Sequence, residues 1–346
     1  MPVSPRRATL ATVAASAGVS VATVSKVLNG RSDVAPATRS LVQSLLQQHD
    51  YVAPSPRRTE ATGVGTIEVQ FDTDLTAYSA EIIQGAVEAG AEVGIGVVIS
   101  IRRGRERTPG WVRSLISAGR RALIAVTSEL TSAQLTALSR AHLPLVVIDP
   151  LNLPSVRVTS IGSTNFTGGF AATQHLLSLG HRRIAYLGGP ASAACNQARL
   201  HGYRAAMEAE GVPVPPAYVQ TGRFHYHDGM VTGAAVLDLA QAPTAIFAAN
   251  DEMALGVMEA ARARGLRIPE DLSVVGFDDT QLAPMASPPL TTVRQPLREM
   301  GGVALRTALR LAAGEKIDSH HVELATELIV RGSTAPASPA SGASAP

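Results

Sequence analysis

The chain has 346 residues, of which 45% are hydrophobic and only 4% aromatic, so it can form two or three domains with aliphatic, alanine-rich cores. Its single cysteine, Cys195, excludes an intramolecular disulfide framework and a clustered thiolate metal site. The net charge of +2 is uneven, because residues 1–63 sum to +4 and the rest of the chain to −2. A basic end on a slightly acidic body predicts a polyanion-binding module joined to a different, larger domain.

The first twenty residues imitate a secretory signal only poorly. Arg6 and Arg7 precede a run of small residues, but Leu10 and Val13 are the only strong hydrophobes in that run. No apolar stretch approaches the roughly 18 residues that a membrane helix needs. We therefore expect a cytoplasmic, nucleoid-associated protein with no membrane partner.

Three short amphipathic helices are predicted in residues 1–51. Their predicted extents are residues 10–17 after the capping residue Thr9, residues 21–28 after the cap Ser20, and residues 37–49. Their apolar sides are predicted to pack together through Leu10, Val13, Ala14, Ala17, Val24, Val27, Leu28, Leu41, Val42, Leu45 and Leu46. Two short helices joined by a three-residue turn with a glycine form a helix-turn-helix, whose second helix enters the DNA major groove.

The start of the second helix is predicted to contact DNA. Its outward residues are expected to reach base edges, whereas Ser20 and Thr23 are placed for phosphate contacts. The complete set of predicted DNA-binding residues is Thr9, Ser20, Val21, Ala22, Thr23, Ser25, Lys26, Asn29, Arg57 and Arg58. The alternative is that the three helices form a structural cap without DNA binding.

Three segments of this module carry a specific resemblance. They read Val-Ala-Ala-Ser-Ala-Gly-Val-Ser (13–20), Ala-Thr-Val-Ser-Lys-Val-Leu-Asn-Gly (22–30) and Val-Ala-Pro-Ala-Thr-Arg (34–39). They closely resemble the DNA-binding segment of the LacI/GalR family of sugar-responsive transcriptional repressors. The resemblance implies a homodimer that binds pseudo-palindromic, double-stranded operator DNA and regulates carbohydrate-utilisation genes.

Residues 52–63 are predicted to form a linker or hinge. In the resembled family a hinge helix here wedges a leucine into the minor groove and kinks the DNA. This linker has no leucine, and Pro54 and Pro56 shorten any helix that forms in it. We therefore expect operator binding to depend less on an easily kinked base step at the operator centre than it does in a typical family member. Arg57 and Arg58 can follow phosphates or enter the minor groove, and the alternative is an inert tether.

From residue 66 onward, apolar strand patterns alternate with helical patterns, which predicts mainly parallel sheets. The predicted strands are 66–71, 96–101, 122–127, 145–148, 183–187, 245–248 and 273–277, and helical stretches lie between them, such as 80–92, 131–141, 168–179, 198–211, 228–238 and 252–264. The length of this region favours two doubly wound α/β subdomains, with a ligand cleft at the carboxyl ends of the strands.

Residues 180–190, 199–204, 243–256, 269–279 and 289–296 resemble the effector domain of the same family, which is periplasmic-binding-protein-like. The resemblance implies an N-subdomain (64–160 and 293–323) and a C-subdomain (161–292 and 324–332). It also implies a small sugar or oligosaccharide effector between them, acting as inducer or corepressor. The candidate ligand-binding residues are Tyr78, Asp149, Arg199, Phe224, Asn250 and Asp278.

Each candidate has a simpler interpretation. Asp278 and Asn250 can cap the segments that follow them, and Arg199 can be a surface ion-pair partner. Phe224 and Tyr78, proposed as stacking platforms for a sugar, can instead be core residues.

The remaining motifs argue against catalysis. A dinucleotide-binding fingerprint must follow a strand, whereas both Gly-x-Gly pairs of this chain precede one, so no cofactor is expected. The histidine pairs do not have the spacing of metal ligands, so no metal is expected. Residues 333–346 contain only Ser, Thr, Ala, Pro and Gly, which predicts a disordered tail. The tail has no leucine heptads, so a dimer is expected instead of a tetramer. A sugar-binding protein without DNA-regulatory function is the alternative to a repressor.

Overall fold

A computed structural model of the chain describes residues 10–28, 34–48, 65–72, 74–102, 110–151 and 158–338. The chain divides into two compact units, residues 1–63 and residues 64–346. The predicted linker at residues 52–63 lies outside the described residues. The same holds for the predicted DNA contacts Thr9, Asn29, Arg57 and Arg58.

The first unit contains the three predicted helices, α1 (Leu10–Ala17), α2 (Val21–Leu28) and α3 (Pro36–Gln48). Gly18 ends α1 in the left-handed region, at φ +63°, which favours glycine. The helices enclose a small core of Val13, Ala14, Val24, Val27, Val42 and Leu46. The prediction that Leu41 belongs to this core is wrong, since its side chain is 48% exposed. Val42 and Leu46, four residues apart, direct one face of α3 inward, and this turns Leu41 outward.

The second unit consists of alternating strands and helices. In chain order its principal elements are β1 (Thr66–Phe71), α4 (Ala77–Glu92), β2 (Val97–Ile101), α5 (Trp111–Ser117), β3 (Arg120–Val126), α6 (Ser132–Arg140), β4 (Leu145–Ile148), β5 (Thr159–Ser163), α7 (Asn165–Ser178), β6 (Ile184–Gly188), α8 (Ala194–Ala209), β7 (Val219–Thr221), α9 (Tyr226–Leu237), β8 (Ala245–Ala248), α10 (Asp251–Arg262), β9 (Ser273–Asp278), α11 (Leu282–Met285), β10 (Thr291–Arg294), α12 (Leu297–Ala312), β11 (His321–Leu324) and β12 (Glu327–Ile329).

These strands form two six-stranded sheets, one in each subdomain. The first sheet has the order β11-β5-β4-β3-β1-β2, and the second has the order β12-β10-β9-β8-β6-β7. Within them, only β12 is antiparallel to its neighbour, β10. The predicted architecture of two doubly wound α/β subdomains is therefore confirmed. Among the described residues, no helix combines the length and apolarity needed to cross a membrane.

The chain passes between the two sheets three times. All of β5 lies in the first sheet and all of β10 in the second, so the crossovers follow Ser163, Arg294 and Leu324. The sequence pattern does not predict β5, β7, β10, β11 or β12, because these short segments contain polar residues and no continuous apolar run such as that of β4 or β8. Pairing with longer neighbouring strands makes these short segments extended.

Helices α7 and α8 approach each other closely through glycines. A β-carbon at Gly202 of α8 would lie 2.2 Å from the carbonyl oxygen of Phe166 in α7. A β-carbon at Gly169 of α7 would lie 2.4 Å from the carbonyl oxygen of Arg199 in α8. The two helices can cross at this distance only without side chains there, and the crossing fixes the position of Arg199 over the second sheet.

The prediction that the disordered tail begins at Ser333 is wrong for residues 333–338. Ser333 is fully buried, and its carbonyl oxygen accepts a hydrogen bond of 2.8 Å from the backbone N–H of Val274. Its hydroxyl accepts from the N–H of Thr291 at 2.8 Å, and Ala337 donates to the carbonyl of Leu179. A composition argument counts apolar side chains, whereas this segment is held mainly by hydrogen bonds to backbone groups at the beginnings of β9 and β10.

The buried side chain of His181 joins this terminal segment to the second subdomain. Its Nε2 lies 3.0 Å from the carbonyl oxygen of Ala335, which can only accept, so Nε2 carries the proton in the neutral ring. Nδ1 then accepts from the hydroxyl of Thr244 at 2.9 Å. Burial lowers the pKa of His181 below its ordinary value, so the folded protein favours the neutral ring.

This shift predicts a pH-dependent contribution of His181 to stability. The unfolded chain takes up a proton below about pH 6.5 and the folded chain only at lower pH, so the contribution is present near pH 7.5 and falls on acidification. We expect the difference in unfolding free energy between wild type and His181→Gln to shrink as the pH falls from 7.5 to 5.5. The full change is about 1.4 kcal/mol for each unit by which the pKa of His181 is lower in the folded than in the unfolded chain. Differential scanning calorimetry measures the stability of both proteins at each pH, and His201→Gln, which replaces an exposed histidine, is the matched control. A difference that is independent of pH would contradict the assignment.

Candidate functional site

The second helix of the first unit is held by the predicted cap. The Ser20 hydroxyl accepts a hydrogen bond of 3.1 Å from the backbone N–H of Thr23, and the two hydroxyls lie 2.9 Å apart. Val24 is fully buried and anchors the helix on the small core. The beginning of α2 is thereby fixed in position, with the Ser20 hydroxyl satisfying an N–H group of the first helical turn.

The predicted DNA-contacting side chains lie on the outer side of α2. Val21 is 46% exposed, Ala22 and Lys26 are exposed, and Thr23 and Ser25 are half-buried. Together these residues place apolar groups, hydroxyls and one cation on a short helix. Apolar side chains can contact thymine methyl groups, and hydroxyls and cations can contact bases and phosphates.

The second unit contains a cavity of about 160 Å³ between the carboxyl ends of its two sheets, hereafter the cleft cavity. All six residues that the sequence singles out for ligand binding line it: Tyr78, Asp149, Arg199, Phe224, Asn250 and Asp278. The first two belong to the subdomain of the first sheet and the other four to that of the second. The cavity is therefore made by both subdomains.

Arg199 is the buried cation of the cleft cavity, with 3% of its surface exposed. Its Nε donates to Oδ1 of Asn165 at 2.7 Å, and Nη1 donates to the carbonyl oxygen of Ala249 at 2.6 Å. Its guanidinium carbon lies 3.8 Å from the centre of the Phe277 ring, and Nη1 lies 3.9 Å from Oδ1 of Asp278. The interpretation of Arg199 as a surface ion-pair partner is therefore wrong.

Asp278 connects this cation to the crossover segments between the two subdomains. Its Oδ1 accepts a hydrogen bond of 2.6 Å from Nε2 of Gln295, whose Oε1 accepts one of 2.5 Å from the Ser163 hydroxyl. Ser163 ends β5 in the first sheet, whereas Asp278 ends β9 in the second. Burial raises the pKa of Asp278 well above its usual range, and the nearby Arg199 opposes this shift.

Tyr78 and Asp149 form the wall of the cavity that the first subdomain contributes. The Tyr78 hydroxyl donates to Oδ2 of Asp149 at 2.7 Å. Burial raises the pKa of Tyr78 well above its usual range, and the neighbouring Asp149 carboxylate raises it further. Burial also raises the pKa of Asp149, against the effect of the hydrogen bond from Tyr78. Tyr78 therefore stays a hydrogen-bond donor at neutral pH.

Asn250 has the capping role that its simpler interpretation assigned to it. Its Oδ1 accepts from the backbone N–H of Met253 at 2.9 Å at the start of α10. Its Nδ2 donates to the carbonyl oxygen of Phe224 at 2.9 Å, and both residues line the cavity. Capping and a place in the cavity wall are thus compatible, because the side-chain amide has both an acceptor and donors.

Backbone strain is concentrated around this cavity. The described residues include six non-glycine positions with positive φ, and four of them line the cleft cavity: Thr127, Asp149, Phe224 and Asp278. Such conformations are costly and persist where the surrounding structure enforces them, typically at functional sites.

Several residues of the site are not singled out by the sequence. Asn165 and Gln295 hold Arg199 and Asp278, but they lie in segments whose strands the pattern does not predict. Asp251 is buried and accepts three hydrogen bonds, from the backbone and hydroxyl of Thr280 and from the hydroxyl of Thr292. Burial raises its pKa to about 7. Its position directly after Asn250 is the one signal in the sequence that could have identified it.

Cys195 also lines the cavity, and burial raises the pKa of its thiol to about 11. Its thiol is therefore protonated at neutral pH and is a poor nucleophile. In the part of the chain that the structure describes, no group of three or more His, Cys, Asp or Glu side chains is arranged to hold a metal ion.

Two family profiles match separate parts of the chain. Residues 9–54 match the bacterial regulatory proteins of the lacI family, and residues 173–334 match a periplasmic binding protein-like domain. The first match covers the helix-turn-helix helices. The second covers most of the second subdomain, including Arg199, Asn250 and Asp278.

Three known proteins are similar to the chain over nearly its whole length. The HTH-type transcriptional regulator DegA of Bacillus subtilis is 34% identical, over 95% of this chain and 99% of DegA. The structure of a transcriptional regulator CelR–cellobiose complex has a TM-score of 0.73 and 33% identity, over 94% of this chain and 100% of CelR. The lac repressor dimer bound to operator and the anti-inducer ONPF has a TM-score of 0.68 and 28% identity, over 95% of this chain and 100% of that chain. The chain belongs to the LacI family of transcriptional regulators.

Proposed function

We propose that this regulator is a homodimeric repressor that binds a pseudo-palindromic operator and is released when a neutral sugar occupies the cleft cavity. The observation that carries the proposal is the meeting of Tyr78 and Asp149 with Arg199, Asn250 and Asp278 around one small cavity. Carboxylates, an amide and a guanidinium are the groups that bind sugar hydroxyls in pairs of hydrogen bonds. Phe224 adds an apolar ring for the CH face of the sugar.

The cavity is small, comparable with one of about 150 Å³ that accommodates benzene, so it suits a compact ligand. Its charges favour a neutral ligand, since Asp149 and Asp278 both face it and Arg199 is already surrounded by acceptors. The CelR structure is a complex with cellobiose, which supports a carbohydrate effector here as well.

Release follows from the position of the cavity between the subdomains. A sugar that bonds to Tyr78 or Asp149 on one side and to Arg199 or Asp278 on the other favours one relative orientation of the two sheets. The three crossovers act as the hinge. The shift in the equilibrium between orientations is limited by the difference in sugar affinity between them.

The edge of the first sheet supports a dimer. Strand β2 is terminal in this sheet, and its side chains Val97, Val98 and Ile99 are half-buried while Ile101 is 46% exposed. Val87 and Val93, on and after α4, are also about half exposed. An apolar sheet edge is a site for pairing with a second chain. The lac repressor to which this chain is similar is a dimer on its operator.

The DNA-binding role of α2 is tested by replacing Lys26. We expect Lys26→Ala to weaken operator binding by about tenfold or more, because the loss of a specific contact to a base costs about 1–3 kcal/mol. The operator is first selected from random duplex DNA with the full-length protein, and affinity is then measured by fluorescence anisotropy at fixed salt concentration.

Lys316→Ala is the matched control for this experiment, because Lys26 and Lys316 are the only lysines of the chain and Lys316 is exposed in the second unit. Its operator affinity should equal that of the wild type. Wild-type affinity in Lys26→Ala would show that the start of α2 does not contact DNA through this residue.

The sugar-binding role of the cleft cavity is tested with Arg199→Lys. Lysine keeps the buried charge but loses the planar fork of donors, so we expect the sugar-induced rise in melting temperature to disappear in a screen of mono- and disaccharides. Arg204→Ala, an exposed arginine on the same helix, is the control.

Circular dichroism establishes that the Arg199→Lys protein is folded. If no sugar stabilises the wild type, the sugar-binding proposal is wrong. If Arg199→Lys binds a sugar as tightly as the wild type, the sugar binds elsewhere.

A further inference from the structure

Two consecutive aspartates at the end of β9 line different cavities. Asp278 lines the cleft cavity, whereas Asp279 lines a separate cavity of about 330 Å³ together with Gln295 and Pro296, which form the second crossover. Both aspartates have positive φ, +112° for Asp278 and +53° for Asp279. Such costly conformations persist only where the surrounding contacts enforce them. The turn therefore presents one carboxylate to the ligand and the next one to the crossover.

The Asp279 carboxylate is buried between two arginines from different parts of the fold. Its Oδ2 accepts a hydrogen bond of 2.8 Å from Nε of Arg294, and its Oδ1 accepts one of 2.6 Å from Nη2 of Arg331. Arg294 is the last residue of β10, directly before the second crossover, and Arg331 follows β12, the strand that the third crossover reaches. Only 5% of the Asp279 side chain is exposed, so salt screens these two ion pairs less than it screens surface pairs.

Both arginines make further contacts that fix their positions. Nη1 of Arg331 donates to the carbonyl oxygen of Leu290 at 2.8 Å. Nη1 of Arg294 lies 3.5 Å from Oε2 of Glu327, the first residue of β12. The Glu327 side chain is 69% exposed, so this pair contributes little, and the bond to Asp279 is the stronger contact of Arg294. Asp279, Arg294 and Arg331 together join the ends of two crossovers, and we name them the crossover clamp.

The peptide between Asp278 and Asp279 connects the crossover clamp to the ligand-facing carboxylate. On one side, the carbonyl oxygen of Asp278 accepts a hydrogen bond of 3.2 Å from the N–H of Gln295. On the other side, the N–H of Thr280 donates to the buried carboxylate of Asp251 at 2.8 Å. A ligand that displaces Asp278 therefore turns the peptide to which Asp279 belongs. The clamp passes this displacement to the crossovers, because separating the carboxylate from its arginines would leave a buried charge unpaired.

We propose that Asp279 is a positioning residue of the effector response, which transmits a displacement of Asp278 to the second and third crossovers and so sets how strongly a bound sugar lowers operator affinity. Asp279 is not among the described residues that line the cleft cavity, so it acts without touching the sugar. This inference rests on the proposed function. It adds the residue that links the cleft to the crossovers, as distinct from the residues that determine sugar affinity.

The variant Asp279→Asn tests this role. Asparagine keeps the shape of the side chain but replaces one carboxylate oxygen by an N–H donor, which then faces an arginine donor. The operator affinity of the full-length protein is measured by fluorescence anisotropy with and without saturating sugar, and the ratio of the two affinities is the coupling factor. The sugars tried are glucose, galactose, xylose, cellobiose, maltose and lactose, and the one with the largest wild-type factor is kept.

Coupling factors of allosteric proteins are typically about 5–150-fold, and we expect Asp279→Asn to lower the factor by about fivefold or more. The sugar affinity of the DNA-free protein, measured by isothermal titration calorimetry, should stay close to that of the wild type. Because coupling is reciprocal, the sugar affinity of the operator-bound variant should then rise by the same factor by which the coupling falls. A purely structural role of Asp279 would lower the melting temperature without producing this rise.

A second variant, Arg294→Gln, removes the other end of the same contact, and the Arg294 side chain is half exposed and can be replaced without burying a new group. We expect it to lower the coupling factor as well. The double variant should lower it no further than Asp279→Asn alone, because the effects of residues that share one contact are not additive. The matched control is Asp271→Asn, an exposed aspartate of the same subdomain that pairs with Arg267, and it should keep the wild-type factor.

The outcomes separate this inference from the proposed function. If no sugar changes the operator affinity of the wild type, sugar-induced release is wrong, and the inference fails with it. If sugar releases the wild type, Asp279→Asn and Arg294→Gln with the same coupling factor, the proposed function stands and the role of Asp279 is refuted. Loss of sugar binding in Asp279→Asn, with a wild-type response in Arg294→Gln, would also refute it. Melting temperatures show which variants are folded, and if Asp279→Asn is not, the result for Arg294→Gln decides.

Discussion

The charge of Arg199 must be compensated inside the protein, and the second subdomain is arranged around this requirement. A buried guanidinium without partners is strongly unfavourable, and removal of one partner from such a group typically costs about 3–5 kcal/mol. Its four partners come from three parts of the fold: Asn165 from α7, Ala249 after β8, and Phe277 and Asp278 from β9. The orientation of Arg199 in the cleft therefore depends on the correct packing of the helices and strands that carry these groups.

The same hydrogen-bond network extends to the hinge. Asp278 accepts from Gln295, which in turn accepts from Ser163 in the first sheet, so that the ligand-facing carboxylate and the crossover between subdomains belong to one chain of hydrogen bonds. A ligand that competes for Asp278 acts on a group bonded directly to the hinge. This gives the proposed release a local physical basis, in which the occupancy of the cleft alters the hydrogen bonds of the crossover.

The success of the sequence predictions varied with the range of the interactions involved. Long apolar strands, helix caps such as Ser20, and the alternation of strands and helices follow from neighbouring residues, and the bounds of these predicted elements agree with the structure to within about four residues. Leu41 was misplaced because the helical period allows two adjacent residues to face the core, and packing selected Val42. Strand β5 and the ordered segment after Ser333 were missed because both depend on hydrogen bonds to distant strands.

Periodicity, capping residues and family motifs are local patterns, and they were enough to predict the helix-turn-helix and the two doubly wound subdomains and to single out six of the residues that line the cleft cavity. The three-dimensional packing was needed to show that Asn250 both caps a helix and lines the cavity, and that Asn165 and Gln295 hold the charged groups. The physical reason is that these features depend on contacts such as that between Ser163 and Gln295, which are 132 residues apart, and no local pattern encodes such a contact.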